Sequence, residues 1–331
     1  MDPAIRARIA KAEAILAADP VSVTSRTAGA RGELLSLLTY PELTDDPRRI
    51  EYIAWLLDHD PWHPTLIYGY VNPATQPEAY LAIKAKWLER ANETPPDPEL
   101  VREAARYVSF ENVGEAKSLI ERALEFHPED SWLWLVLARY SEDHRERLAA
   151  SEKAYALDDD RSRLLVWIAI EGFRAEDYAK AEGAANELRR LADNIHAQFG
   201  DKLDLPLHGD AFWEQADEHF PSRAAAREFV DAHTDYVYFK HWANTVLGLL
   251  ASRRGDLDGA VAHLHSSADF EPDYQFGGGP CLDLLREVCA RDRWDDALRF
   301  LRKWEGVWDE PLAEEWMAAV EARRLVQLDE G

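Results

Sequence analysis

The stretch Trp242–Pro272, WANTVLGLLASRRGDLDGAVAHLHSSADFEP, limits the fold more than any other part of the chain. Apolar residues recur at three- and four-residue spacing on both sides of Gly255-Asp256, and the second segment stops at a proline. This predicts two helices laid antiparallel as a hairpin. Gly248 on the first and Ala260 on the second are small where the two axes must approach, so that ridges of one helix enter grooves of the other. A lone hairpin cannot bury both its faces, and weaker copies upstream and downstream predict that hairpins stack.

Residues 1–96 read as an N-terminal helical region with proline punctuation. Ile5, Ile9, Ala12 and Leu16 form a helical stripe, Val21–Arg31 reads as a polar link, and Gly32–Thr39 as a leucine-rich helix. Asp46-Pro47 is a helix start, since Asp caps free N–H groups and Pro suits the first helical position. Trp62–Pro73 is read as irregular, and Gln76-Pro77 opens another helix. From Asp97 to Ala192 the spacing becomes that of paired helices: Asp97–Tyr107 with Val113–Phe126, Trp132–Tyr140 with Arg145–Leu157, and Leu164–Phe173 with Asp177–Ala192. Ala116, Ala123, Pro128 and Ala181 are the contact and stop residues of these pairs. Residues 193–235 read as an insert or degenerate hairpin, with a loop at His196–Leu207, a short helix at Asp210–His219 and another at Ala224–Ala232. In 236–308 the clear hairpin is followed by the glycine loop Gly277–Gly279 and by Leu282–Ala290 paired with Trp294–Trp304, where Ala297 is the contact residue. Residues 309–331, starting at Glu310-Pro311, predict a polar-faced terminal helix that caps the open end.

Leu247-Gly248, Gly255-Asp256, Ala260, Leu264 and Pro272 carry a resemblance to the tetratricopeptide-repeat superfamily, whose unit is about 34 residues long. Asp177-Tyr178 with Ala181, and Trp294 with Ala297, repeat the signature, while Asn244 and Ala251 depart from the family's aromatic preferences. The resemblance covers residues 97–192 and 236–308. It implies an all-α fold, an α-solenoid of stacked antiparallel helical hairpins with a C-terminal capping helix. It also implies peptide binding on the concave helix faces.

The chain of 331 residues is 47% hydrophobic, enough for a substantial core, and its 38 Lys+Arg against 62 Asp+Glu leave a net charge of −24. Such a surface repels nucleic-acid phosphates and anionic lipid, and it steers cationic partners. Part of the charge is solvation of outward helix faces. Cys281 and Cys289, read as lying on one helix about 12 Å apart, are expected to be free buried thiols in a reducing compartment. No stretch reaches bilayer length, and the N-terminal segment lacks a signal-like apolar run, so the expected location is cytoplasmic.

Candidate chemistry is sparse. His59 and His63 have metal-like spacing, but Pro61 interrupts the helical face between them. Glu214, Asp217, Glu218 and His219 form an acidic cluster that reads as a solvated face, and His263 and His265 point to different sides of a helix. No phosphate loop or nucleophile elbow is present. No metal or cofactor is therefore expected, and no catalytic residue is assigned. Trp55, Trp87, Trp132, Trp134, Trp167 and Trp294 lie on helical stripes and read as core. The binding candidates are His241, Trp242, Asn244, Thr245, Asp269, Tyr274 and Asp283, around the clearest hairpin. Two readings stay open. One is a non-catalytic interaction or scaffold protein holding a protein or peptide segment, cationic if the acidic surface selects it. The other is an enzyme or small-molecule sensor with a pocket around His241, Asn244 and Asp283. The charge excess predicts that partner binding weakens strongly as salt rises; an affinity measured by calorimetry that is independent of ionic strength would count against electrostatic steering.

Overall fold

The computed structural model describes residues 2–20, 22–38, 46–68, 71–158, 162–205, 212–213, 216, 218–269, 281–304 and 310–324. Among these residues the structure is all-helical, without strands. The chain divides into two compact units, Met1–Glu142 and Asp143–Gly331.

The first unit contains α1 (Pro3–Ala18), α2 (Ser25–Leu37), α3 (Arg48–His59), a 3-10 turn at Pro64–Tyr68, α4 (Pro77–Ala91), α5 (Pro98–Ser109), α6 (Val113–Phe126) and α7 (Ser131–Tyr140). Each helix packs on the next, and α5 also packs on α7, the helix after its immediate neighbour. The second unit contains α8 (His144–Leu157), α9 (Leu164–Arg174), α10 (Tyr178–Phe199), a 3-10 turn at Gly200–Asp204, α11 (Arg223–Arg253), α12 (Leu257–Ser266), α13 (Asp283–Ala290), α14 (Trp294–Lys303) and α15 (Glu310–Glu321). Here too consecutive helices pack, and α9 with α11, α11 with α13, and α12 with α14 form a second set of contacts one helix apart.

Local sequence sets the helix ends. A short polar residue precedes helix after helix and accepts from the free N–H groups of the first turn: Asp97 at 2.9 Å from Glu99 N, Asn112 at 3.0 Å from Glu115 N, Asp130 at 2.9 Å from Leu133 N, and Asp143 at 2.8 Å from Arg145 N. C-terminal carbonyls are taken up by arginines of later helices. Arg90 donates to Leu57 O at 3.1 Å and to Asp58 O at 2.8 Å, and Arg122 donates to Ala91 O at 2.9 Å. Between α11 and α12 both ends are resolved in three residues. Gly255 takes φ 82°, its N–H donates to Ser252 O, and Asp256 N–H donates to Ala251 O. This is the helix stop that favours glycine. Asp256 then caps α12 by accepting from Gly259 N at 2.9 Å.

The small contact residues Ala116, Ala123, Ala181, Ala260 and Ala297 are all fully buried. At Gly248 a Cβ would lie 2.5 Å from Leu284 Cδ2 and 3.0 Å from His263 Cβ, so α11 approaches both α12 and α13 at this residue. A close approach that the sequence reading missed is Gly172 on α9, where a Cβ would lie 3.0 Å from the backbone N of Ala181 on α10. Pro128 contributes its carbonyl, which accepts from Trp134 Nε1 at 2.8 Å. Pro272 lies outside the described residues.

Several expectations need correction. The polar link Val21–Arg31 is helical from Ser25, because Thr24 and Thr27 form a reciprocal capping box at the start of α2. The stretch 62–73, read as irregular, includes the 3-10 turn at Pro64–Tyr68. Helix α10 does not stop at Ala192 but runs to Phe199 and is followed by the 3-10 turn Gly200–Asp204, so the expected loop His196–Leu207 begins as helix; its residues 206–207 lie outside the described residues. The helix at Ala224–Ala232 and the first helix of the Trp242 hairpin are one helix of 31 residues, α11. The intervening HTDYVYFK is rich in aromatic and β-branched residues of weak helix propensity, but burial of His233, Val237 and Phe239 holds it helical. Trp132 is 58% exposed and Trp167 37%, so neither is core, whereas Trp87 is buried. Cys281 precedes α13 and only Cys289 lies within it; both thiols are free.

The terminal helix α15 buries Trp316 and Val320 and exposes Glu314, Glu315 and Glu321. No helix among the described residues is long and apolar enough to cross a membrane.

The Gly248 contact yields a direct test. Gly248→Leu should lower stability by about 1–3 kcal/mol through overpacking, and Gly248→Ala by less, because the nearest atoms belong to the end of the Leu284 side chain. Thermal melts that place both variants at the wild-type midpoint would contradict the close approach.

Candidate functional site

The binding candidates lie in the second unit and separate into two environments. The first is enclosed. His241 is fully buried, and Cys281 N–H donates to its Nε2 at 3.2 Å. With Nε2 accepting, the ring proton is on Nδ1, which donates to Ser267 O at 2.9 Å. The imidazole is thus a neutral bridge joining α11 to the residues after α12 and before α13. Burial depresses its pKa to about 4, only partly offset by the bond to Ser267. Trp242 is half-buried, in edge contact with Tyr238 and His241. Thr245 is enclosed, at 1% exposure.

Asn244 belongs to a separate set. Its Nδ2 donates to Lys240 O at 2.8 Å, and its Oδ1 faces His263 Nδ1 at 2.9 Å. His263 titrates below the ordinary histidine range because of burial and the nearby Arg189 charge. Asp269 is exposed and lies beside Lys240 at 3.6 Å and Lys303 at 3.8 Å. Tyr274 and the glycine loop Gly277–Gly279 fall outside the described residues, as do Glu214 and Asp217.

Asp283 occupies the second environment, a groove of about 380 Å³. Phe173 of α9, Leu249 and Arg253 of α11, and Asp283, Arg286, Glu287 and Ala290 of α13 line it. Its apolar surface comes from Phe173, Leu249 and Ala290, and charge of both signs surrounds it. Arg174 lies 3.5 Å from Glu171 and 3.2 Å from Asp283, which ties the end of α9 to the start of α13. Glu171 is 1% exposed, and its buried carboxylate is met by the guanidinium groups of Arg147 and Arg174 and by His144 Nδ1 at 2.8 Å. Glu287 accepts from Ser252 Oγ at 3.1 Å and lies within 3.7 Å of Arg253 and of Arg291. Arg253 also sits over the Phe173 ring, 5.7 Å from its centroid.

His241, Asn244 and Asp283 share no direct side-chain hydrogen bond among the described residues; His241 and Asp283 are linked through Cys281, whose N–H donates to His241 and whose thiol lies beside Asp283, and Asn244 bonds Lys240 and His263 instead. Of the candidates only Asp283 lines the groove. The other lining residues were not picked out in sequence. Asp283, Arg286, Glu287 and Ala290 recur at the spacing of one helix face, which is a readable signal, whereas Phe173 and Arg253 reach the groove only through tertiary packing.

The thiols are poor nucleophiles in this setting. Burial and the Asp283 charge push Cys281 up to about 12, and burial pushes Cys289 up to about 11. His59 closes α3, with its Nδ1 2.8 Å from Trp55 O, while His63 Nδ1 pairs with Thr65 Oγ1 at 2.7 Å. Among the described residues no group of three or more His, Cys, Asp or Glu is arranged to hold a metal ion. No protein-family model matches the chain, and no curated protein matches it.

The His241 bridge makes stability depend on pH. The folded pKa, about 4, lies below the ordinary value of 6.5, so the unfolded state binds the proton more readily between these values. The stabilisation is fully present above pH 6.5 and is lost as pH falls toward 4, about 2 kcal/mol of it by pH 5. His263 acts with the same sign. Denaturant titrations should show a fall in unfolding free energy from pH 7 to pH 5 that is reduced in His241→Gln. Parallel pH profiles for the two proteins would rule the bridge out as the source.

Proposed function

We propose that the protein is a non-catalytic interaction protein of tetratricopeptide-like helical hairpins, which holds a protein or peptide segment in the groove formed by α9, α11 and α13. One observation carries the reading. Alternate helices α9, α11 and α13 pack side by side and line one groove with an apolar floor and charged rims. An extended or helical segment can lay apolar side chains on Phe173, Leu249 and Ala290 while its charged groups pair with Arg253, Arg286, Asp283 and Glu287. The acidic chain attracts a cationic partner at long range, and both signs at the rim set its register.

The alternative of an enzyme or sensor asks for convergent polar groups around His241, Asn244 and Asp283. The side chains of His241, Asn244 and Asp283 do not converge on one another, His241 being spent on Ser267 and Cys281, Asn244 on Lys240 and His263, and Asp283 on Arg174 and Arg286, which favours the interaction reading.

Ala290 is exposed at the groove, so Ala290→Trp fills the groove without entering the core. Affinity capture from a lysate should recover the partner with the wild-type chain at low salt and lose it with Ala290→Trp at an unchanged melting temperature. An identical set of bound proteins on both baits would remove the groove from the binding site.

A further inference from the structure

A second groove, of about 400 Å³, lies within the first unit, between one face of α5 and one face of α7. Arg102, Glu103 and Arg106 of α5 and Trp132, Val136 and Arg139 of α7 line it. Their spacings along α5 and along α7 are those of single helix faces, so this composition follows directly from the two helical registers.

Two features mark this surface. In a protein of net charge −24, three guanidinium groups converge here against a single lining carboxylate, Glu103, which pairs with Arg106 at 2.6 Å. Arg102 reaches a second acid, Glu99, only at 3.9 Å. Arg139 is exposed, and its guanidinium makes no ion pair among the described residues. The second feature is Trp132, which at 58% exposure leaves a large aromatic surface in water although it stands at the start of a helix that buries Leu133, Ala138 and Tyr140. Arg102 lies 5.6 Å from the centroid of the Trp132 ring, so a cation is already held over the indole. An exposed tryptophan flanked by arginines has the composition of an interface anchor, since Trp and Arg dominate the residues that carry binding energy.

The geometry points to a docking site for an acidic peptide segment carrying an apolar or aromatic residue. Its carboxylates are received by Arg139 and Arg102, and its apolar side chain lies against Trp132 and Val136. The planar fork of arginine matches a carboxylate in two parallel hydrogen bonds, and Arg139, with no ion pair among the described residues, presents such a fork beside Arg102. A basic segment meets the wrong sign here. A nucleic acid would find similar chemistry in the groove, but it carries a phosphate at every nucleotide, so the acidic field of the chain opposes it more strongly than a short peptide whose carboxylates alternate with apolar residues. The site is independent of the groove in the second unit and takes the opposite charge from the one the whole chain attracts at long range.

The test uses the full chain and three fluorescein-labelled probes followed by anisotropy: a peptide of alternating glutamate and leucine, its lysine-leucine counterpart, and a single-stranded oligonucleotide. The glutamate-leucine peptide should bind, and its affinity should fall by about tenfold or more in Arg139→Glu and in Trp132→Ala. Both changes are at exposed positions, and melting curves should match wild type. Ala290→Trp, in the other groove, should leave this affinity unchanged, which separates the two sites. No binding of the acidic peptide, tighter binding of the lysine peptide, or an affinity insensitive to Arg139→Glu would each overturn the proposal. Preferential binding of the oligonucleotide at the same arginines would assign the groove to nucleic acid instead.

Discussion

The structure depends first on how its helix ends are satisfied. Short helices expose four unpaired N–H groups at one end and four carbonyls at the other, and a chain that turns back so often multiplies that cost. The solution here is a division of labour. Aspartate and asparagine stand before the helices and accept from the first turn, as Asp97, Asn112, Asp130, Asp143 and Asp256 do. Arginines on later helices reach back to the last carbonyls, as Arg90 and Arg122 do. Part of the acidic excess is therefore structural, sited where the partial positive charge of a helix N-terminus favours it. This also explains how so acidic a chain can hold a local surface of the opposite sign: the acids are fixed by backbone requirements, and the faces between caps are free to vary.

With the ends settled, packing is governed by side-chain size at the crossings. Fully buried alanines mark the contacts within the hairpins, and Gly248 and Gly172 mark places where even a methyl group meets a neighbour. Polar groups enter these contacts only when paired. His241 is neutral and doubly hydrogen-bonded, and Glu171 is met by two arginines and the His144 ring. Each ties together elements that sequence keeps apart, and each therefore reads as a fastening of the second unit.

Much of this was legible in the sequence because it rests on local rules. Asp46-Pro47, Gln76-Pro77 and Asp97-Pro98 located the starts of α3, α4 and α5, and the Gly255-Asp256 pair located the turn between α11 and α12. What escaped was set by tertiary contact. Nothing local holds the HTDYVYFK stretch helical; His233, Val237 and Phe239 do so by being buried. Trp132 sits on a good helical stripe, yet the face it occupies has no covering element among the described residues. For the candidate site, Asp283 could be picked out beside the clear hairpin, and its helix displays Arg286, Glu287 and Ala290 on one face. The apolar wall supplied by Phe173 of α9 depends on a packing neighbour more than a hundred residues away, which no periodicity within α13 can reveal.

The length of α11 has a mechanical consequence. Its 31 residues span about 46 Å of continuous helix. Near one end Ala226 and Phe229 sit in an aromatic cluster with Leu203, Phe212 and Phe220, and near the other Val246, Leu247 and Leu250 sit in a core shared with α9 and α10. The helix is thus a strut anchored in two cores, with no glycine or proline between the anchors at which to bend. Force applied at the aromatic cluster passes along the strut to the crossings at Gly248. The aromatic cluster and the groove are therefore built on one continuous helix, and a shift of α11 at either end is carried to the other.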